Sequence, residues 1–399
     1  MSRAIRLDRF TSPDEFAAGK CDGIDITASG LVLAKDVATG VASGTWTSPM
    51  IEPGFAIASL VPSFTAETPG ASWLELHGRL RVATGETTAW YALGHWSSTG
   101  TRTSIAGQRD DHAYVDTDVL LAEVPADAWQ LRVTLHRTAV VAANESSSES
   151  SSESSSESSS ESSTEASPVG RSLGAVVAGP TSPAEPSVAG RAAGTVLDIP
   201  RFSQRLHRGR YPQWDGGGAS WCSPTSVSMV TAYWGAGPTD VSWVEPGPDP
   251  RVVHAARGTY DEAYGGCGNW PFNTAYAGTF GLDAYVTRLN SLSDAESYIE
   301  EGIPLVLSAG YRTGQVPGAD YDTNGHLLVL VGFTESGDPV VNDPAADTNE
   351  AVRKTFGRRE FEQAWQSTSG GIAYVIRPNG DAARGHRHDR GVLGTDFGA

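Results

Sequence analysis

Three short stretches of the 399-residue chain hold side chains that together could carry out acyl transfer. The first is Ala219-Ser-Trp-Cys222-Ser-Pro-Thr-Ser-Val-Ser-Met-Val230. Pro224 early in a first turn and Gly235 at the far end predict a helix over Ser223–Trp234. A cysteine just ahead of a helix start lies at the positive end of the dipole, which favours thiolate over thiol. Gly216, Gly217 and Gly218 precede it, so the chain can turn tightly there and present backbone N–H groups to an oxyanion. The competing reading is an ordinary buried cysteine. The second stretch, Thr323-Asn-Gly-His326-Leu-Leu-Val-Leu-Val-Gly-Phe333, puts a histidine at the head of an aliphatic strand. The third, Val340-Val-Asn-Asp343-Pro344, ends a strand on a carboxylate 17 residues later. If these strands pair antiparallel through the Glu335–Asp338 turn, Asp343 comes to lie beside His326. It then holds one ring nitrogen and leaves the other to the thiol.

The residue types suit the reaction. A free thiol near pKa 8.5 is only a few per cent thiolate at neutral pH. A helix terminus and a neighbouring imidazolium bring such a thiol down to about 3.5–7.5. The histidine can then protonate the leaving amine while the carboxylate fixes its tautomer.

The strings WCSPTSVSM, GHLLVLVGF and VNDPA, in that order, resemble the C39-like cysteine peptidases, a family with a papain-like fold. GNWPFNTAYA and GGIAYVIRP resemble its actinobacterial members. The resemblance spans roughly Leu197 to Arg377. It implies Cys222 as nucleophile, His326 as general base and acid, Asp343 as orienting carboxylate, and a peptide or protein substrate. It also implies an oxyanion glutamine ahead of the cysteine. Pro200-Arg-Phe-Ser-Gln204 resembles that motif, with an insertion (RLHRGRYPQWDGGG) before the cysteine; Gln213, nearer in sequence, is the alternative. The family often has Cys-Gly-Pro where this chain has Cys222-Ser223-Pro224. Trp221, Asn269 and Trp270 are candidates for substrate contact, against a reading as packing residues. An amidase or acyl transferase on the same fold, and a non-catalytic binding module, are the other functional readings.

The elements around these motifs fall into two folded parts. Residues 1–141 read as an all-β, sandwich-like accessory domain. Ser72–Val82 alternates cleanly, with Leu74, Leu76, Leu80 and Val82 on one face and Glu75, His77, Arg79 and Arg81 on the other. Trp129, Leu131, Val133 and Leu135 repeat the pattern. Further strands are expected near Ile24–Leu33, Phe55–Val61 and Thr88–Leu93. Trp46, Trp73, Trp90, Trp96 and Trp129 are read as core and strand-edge packing, with sugar stacking the alternative use, so a glycan or cell-wall contact is a possible partner role. Residues 196–379 read as α+β, with helices over Phe272–Phe280, Ser293–Glu301 and Arg359–Trp365 and strands over Pro304–Ser308, His326–Phe333, Pro339–Asn342 and Gly371–Arg377. Residues 142–195 read as a linker. From Glu145 the sequence repeats Glu-Ser-Ser-Ser, with Glu145, Glu149, Glu153, Glu157, Glu161 and Glu165 in a four-residue period. Glutamates at i and i+4 repel on a helix face and nothing apolar is present to pack, so a self-repelling spacer is expected, extended by the Pro/Gly/Ala-rich stretch behind it. Residues 380–399, which include His386 and His388, read as a flexible tail.

Composition bounds the rest. Lys and Arg number 29 against 47 Asp and Glu, a net charge of −18, which excludes a general nucleic-acid footprint. Only Lys20, Lys35 and Lys354 are lysines, a bias read as carrying no mechanism. Three cysteines make neither a disulfide framework nor a four-cysteine zinc site, and no Cys/His spacing suggests a metal; no cofactor is implied. Cys21 and Cys267 are expected to be inert, His254 to pack on a helix, and Asp320 with Asp322 to lie in a solvated loop. No secretory h-region follows Met1–Phe10 and no apolar run is long enough to span a bilayer, so a cytoplasmic location is expected, with secretion the alternative.

Overall fold

A computed structural model describes residues 3–34, 41–138, 167–181 and 185–380. The first part is β1 (Ile5–Phe10), α1 (Pro13–Ala17), β2 (Lys20–Asp22), β3 (Ile24–Thr27), β4 (Gly30–Leu33), β5 (Val41–Thr47), β6 (Ile57–Glu67), β7 (Ser72–Val82), β8 (Tyr91–Trp96), β9 (Ala113–Asp116), β10 (Val119–Thr138) and β11 (Val169–Ala178). The second is α2 (Cys222–Tyr233), α3 (Pro250–Thr259), α4 (Trp270–Gly278), β12 (Leu282–Arg288), α5 (Leu292–Glu300), β13 (Leu305–Tyr311), β14 (Thr323–Phe333), β15 (Pro339–Asn342), β16 (Arg353–Thr355), α6 (Arg358–Ser369) and β17 (Ile372–Pro378). The chain is thus mixed α and β with mostly strands, and its N-terminal part is β-rich. Among the described residues no helix is long and apolar enough to cross a membrane.

The alternation expected over Ser72–Val82 is β7 to the residue, and its leucines are buried. The N-terminal strands join into one hydrogen-bonded network of 11. The 20-residue β10 makes that possible: its first half pairs with β9 and β6, and its second half with β7 and β5. The register shift after Leu121 lets one strand serve both neighbourhoods, as a bulge does. Trp46, Trp96 and Trp129 are fully buried, so packing is their use. Trp73 instead stacks on His136 at 4.7 Å, and the guanidinium groups of Arg79 and Arg132 both lie over the Trp90 ring.

The linker expected over 142–195 is corrected in its second half. Val169–Ala178 forms β11, with β6 on one side and β1 and β4 on the other. Leu173, Ala175, Val176 and Val177 are buried there. The Ser/Glu repeat lies outside the described residues, but the strands before and after it belong to the same sheet. Residues 187–197 are also tied down: the Ser187 and Gly190 N–H groups donate to Glu362 and Glu296, and Leu197 N–H donates to the Val331 carbonyl at 2.8 Å. Composition misled here because Gly and Ala dilute a β-branched pattern that a buried strand can still use.

The second part is a six-stranded antiparallel sheet, ordered β12-β17-β13-β14-β15-β16, covered by α2. Nearly every residue of α2 is buried, whichever way it faces, as in a central helix. Ser226 Oγ donates to the Leu327 carbonyl at 3.1 Å and Ser223 Oγ bonds Tyr374 Oη at 3.0 Å, so polar pins fix the helix on β14 and β17. The two parts pack on each other. Phe272 of α4 meets Trp96 at 5.4 Å between ring centroids, and Arg9 of β1 pairs with Asp283 of β12 while lying over Tyr285.

Candidate active site

Cys222 opens α2, so its own N–H belongs to the first turn, where a helix has no internal acceptors to offer. His326 is the fourth residue of β14; the strand begins three residues before it. A register shift between β13 and β14 falls just before it: Ala309 faces His326 and Tyr311 faces Thr323. Such an extra residue re-aims the side chain that follows. β15 pairs antiparallel with β14 as the spacing predicts, and Asp343 follows its last residue.

The three side chains meet. His326 Nε2 lies 2.8 Å from Asp343 Oδ1. Cys222 lies beside the same ring, close enough to favour its charged form. Burial works against the imidazolium, but Asp343 and Cys222 overcome it and push His326 up to about 10. Asp343 has no exposure. Burial alone raises a carboxylate, yet the bond to His326, its charge and that of Lys354 hold Asp343 far below the usual range.

Sequence reasoning missed most of what surrounds Asp343. Lys354 Nζ is 2.9 Å from Oδ2, Tyr321 Oη donates to the carboxylate at 3.1 Å, and the Ala345 N–H donates to Oδ1 at 2.9 Å. Tyr311 Oη donates to Tyr321 Oη at 2.7 Å, extending the network. The scarcity of lysine was the available signal: one of only three sits on this carboxylate.

The cleft has a volume of about 800 Å³ and is lined by Cys222, His326, Gln204, Trp270, Asp215 and Asp118, among others. Gln204 begins a 3-10 turn, Gln204–His207, and its Nε2 donates to the Ala219 carbonyl at 2.7 Å. Gln213 is exposed in a turn and is not part of the lining. The insertion between Gln204 and Cys222 folds back closely: a side chain at Gly218 would stand 2.3 Å from the Gln204 carbonyl oxygen.

Several expectations need correction. The N–H groups of Gly216, Gly217 and Gly218 donate to the carbonyls of Pro212, Trp214 and His207. They are spent on the turn and are not open to an oxyanion. Trp221 is fully buried, with Nε1 donating to the Trp214 carbonyl, and is absent from the cleft wall. Asn269 is buried too; it caps α4 through Phe272 N–H and donates to Asp261. Of the three substrate-contact candidates only Trp270 faces the cleft. His254 sits on α3, bonded to Tyr276 Oη, and lines a separate hollow. Cys267 is buried, which pushes its thiol well above the ordinary value, and Cys21 is exposed. His386 and His388 lie outside the described residues.

Comparison with known proteins agrees with the motifs. Residues 6–148 match the family model described as the peptidase C39 N-terminal domain, and residues 196–372 match that of the peptidase C39-like family. No curated protein matches. Among solved structures, one described as a "C39-like peptidase from Bacillus anthracis" is 16% identical, with a TM-score of 0.30 over 46% of this chain and 98% of that one.

Proposed function

We propose that this chain, which belongs to the C39-like peptidases, is a cysteine peptidase that hydrolyses peptide bonds through an acyl-enzyme on a papain-like domain. The observation that carries the reading is the placement of His326 between Cys222 and Asp343. In this reading the Cys222 proton moves to the ring nitrogen facing it, and the sulfur attacks the scissile carbonyl. The tetrahedral oxyanion is met by the second Nε2–H of Gln204, the one not given to the Ala219 carbonyl, and by the Cys222 N–H at the head of α2. His326 then gives its proton to the leaving amine, and the C–N bond breaks. In the second half His326 takes a proton from water, the hydroxide attacks the thioester, and the carboxylic acid leaves as Cys222 is restored. Asp343 stays ionised throughout and holds the imidazolium in one orientation.

The test is turnover of a mixed peptide pool with mass-spectrometric detection of the acyl adduct. The proposal expects cleavage, an adduct on Cys222 alone, and loss of both in Cys222→Ala. Cleavage that survives Cys222→Ala contradicts it, as does a pool left intact by the wild-type chain.

A further inference from the structure

The cleft wall is not built by the peptidase part alone. Asp116, Thr117, Asp118 and Val119, from the β9–β10 hairpin of the N-terminal part, line it together with Trp270. Asp116 faces Val119 across the hairpin, leaving Thr117 and Asp118 as its two-residue loop. Such loops want residues that accept a positive φ, usually Asn-Gly or Asp-Gly. Here the first position is Thr117, a β-branched residue held at φ +53°. That backbone is costly for its side-chain type, and strain of this kind persists only where the surroundings impose it.

What the strained turn achieves is the placement of Asp118. Its carboxylate crosses to the peptidase part and accepts the Trp270 N–H at 2.5 Å. Trp270 is the first residue of α4, and its N–H is one of the donors that a helix leaves open. Asp118 is 6% exposed, and among the described residues it forms no ion pair, so burial raises its carboxyl to about 7. Burying a carboxylate there without a cation costs stability, and the fold carries that cost at this position. The segment leading to Trp270 is gripped from the same side. Ser104 N–H donates to Asp261 Oδ1 at 2.9 Å, Asn269 Nδ2 donates to Asp261 Oδ2 at 2.9 Å, and Glu262 N–H donates to the Arg102 carbonyl at 3.0 Å.

We infer that Asp118 is a positioning residue for substrate: through Trp270 it sets one wall of the peptide cleft, making the N-terminal part a working portion of the site. This rests on the peptidase reading above. The substrate it serves is a chain long enough to reach from Cys222 to the Trp270 indole. A reagent that touches only the sulfur does not use this wall.

The experiment uses the full chain and two electrophiles, iodoacetamide and a peptidyl epoxide, against wild type, Asp118→Ala and Asp118→Asn. Asp118 does not touch substrate, so its loss reaches binding only through misplacement of the Trp270 wall, an effect on the order of tenfold where a shift of about 1 Å can cost about a hundredfold. In Asp118→Ala the peptidyl epoxide should therefore inactivate about tenfold more slowly, and KM for a peptide substrate should rise with kcat little changed. The iodoacetamide rate should stay within about twofold. Asn keeps an acceptor oxygen, so Asp118→Asn should recover most of the loss. An unchanged ratio of the two reagent rates in Asp118→Ala overturns the inference, and so does an equal fall of both rates in the two variants, which marks a merely structural role. A wild-type Cys222 that reacts with iodoacetamide no faster than a free thiol defeats the peptidase reading instead, a separate and distinguishable result.

Discussion

Lys354 and His326 hold opposite oxygens of one buried carboxylate: Nζ lies 2.9 Å from Asp343 Oδ2 and Nε2 lies 2.8 Å from Oδ1. The strands that carry these groups are neighbours in one sheet, β14-β15-β16, with Asp343 at the end of the middle one. The orienting carboxylate is therefore clamped between two cations, and its position does not depend on histidine alone. Replacing Lys354 by Met removes a charge that holds Asp343 down and leaves a buried carboxylate with one cation fewer. The expected outcome is about a tenfold fall in kcat/KM, or about 1.4 kcal/mol of transition-state stabilisation. Steady-state kinetics of Lys354→Met checks this; activity within twofold of wild type contradicts it.

Tyr321 touches the same carboxylate from the cleft side, and its ring stands edge-on to His326 with centroids 5.5 Å apart. Tyr321→Phe keeps the ring and removes a hydrogen bond worth about 1 kcal/mol. A fall in kcat of about fivefold with little change in KM is expected, because the hydroxyl acts on the orientation of His326 and not on substrate.

The charges of the site also bear on stability. Asp343 has a depressed pKa in the folded chain, so its contribution is present above the unfolded value near 3.9 and is lost as pH falls through the folded one. His326 is raised to about 10, so its contribution is full below the unfolded value near 6.5 and fades as pH rises toward 10. The difference in melting temperature between wild type and His326→Ala should therefore be largest between about pH 4 and 6.5. It should narrow steadily toward pH 10. A difference that widens with rising pH contradicts the assignment of charges.

β11 is a further point of test. Leu173 is 1% exposed and pairs with Phe64 on one side and Phe10 on the other. Leu173→Ala should cost about 2–4 kcal/mol, as for other buried leucines. A residue in an interdomain connection would cost almost nothing, so chemical denaturation of this one variant separates the two accounts of the segment.

The sequence was most legible where chemistry and periodicity coincide. Cys222, His326 and Asp343 stand in motifs whose elements have strong local signals: a Pro-initiated helix, an aliphatic strand, and a hairpin of the right length to bring strand ends together. Lys354 and Tyr321 were not legible because they reach Asp343 from β16 and from a loop, through pairings that no local pattern encodes. The failure at Trp221 and Asn269 is of the opposite kind. Both flank motif residues in sequence, but a helix turns neighbours to different faces, and theirs is the core. β11 was hidden because a strand buried on both faces needs neither alternation nor bulky residues. Contact between the two parts was hidden for a related reason: Asp118 gives no sign in sequence that its partner is Trp270, 152 positions away.

The central claim is that His326 and Asp343 activate the sulfur of Cys222. It is tested most directly by the rate of Cys222 alkylation by iodoacetamide at about pH 6, in wild type and in His326→Ala, with Cys222→Ala to subtract Cys21 and Cys267. At that pH an unassisted thiol near 8.5 is almost wholly protonated. The account predicts that wild type reacts at least about tenfold faster than a free thiol and that His326→Ala drops to the free-thiol rate. A wild-type rate no greater than a free thiol's, or a rate left unchanged by His326→Ala, would contradict it.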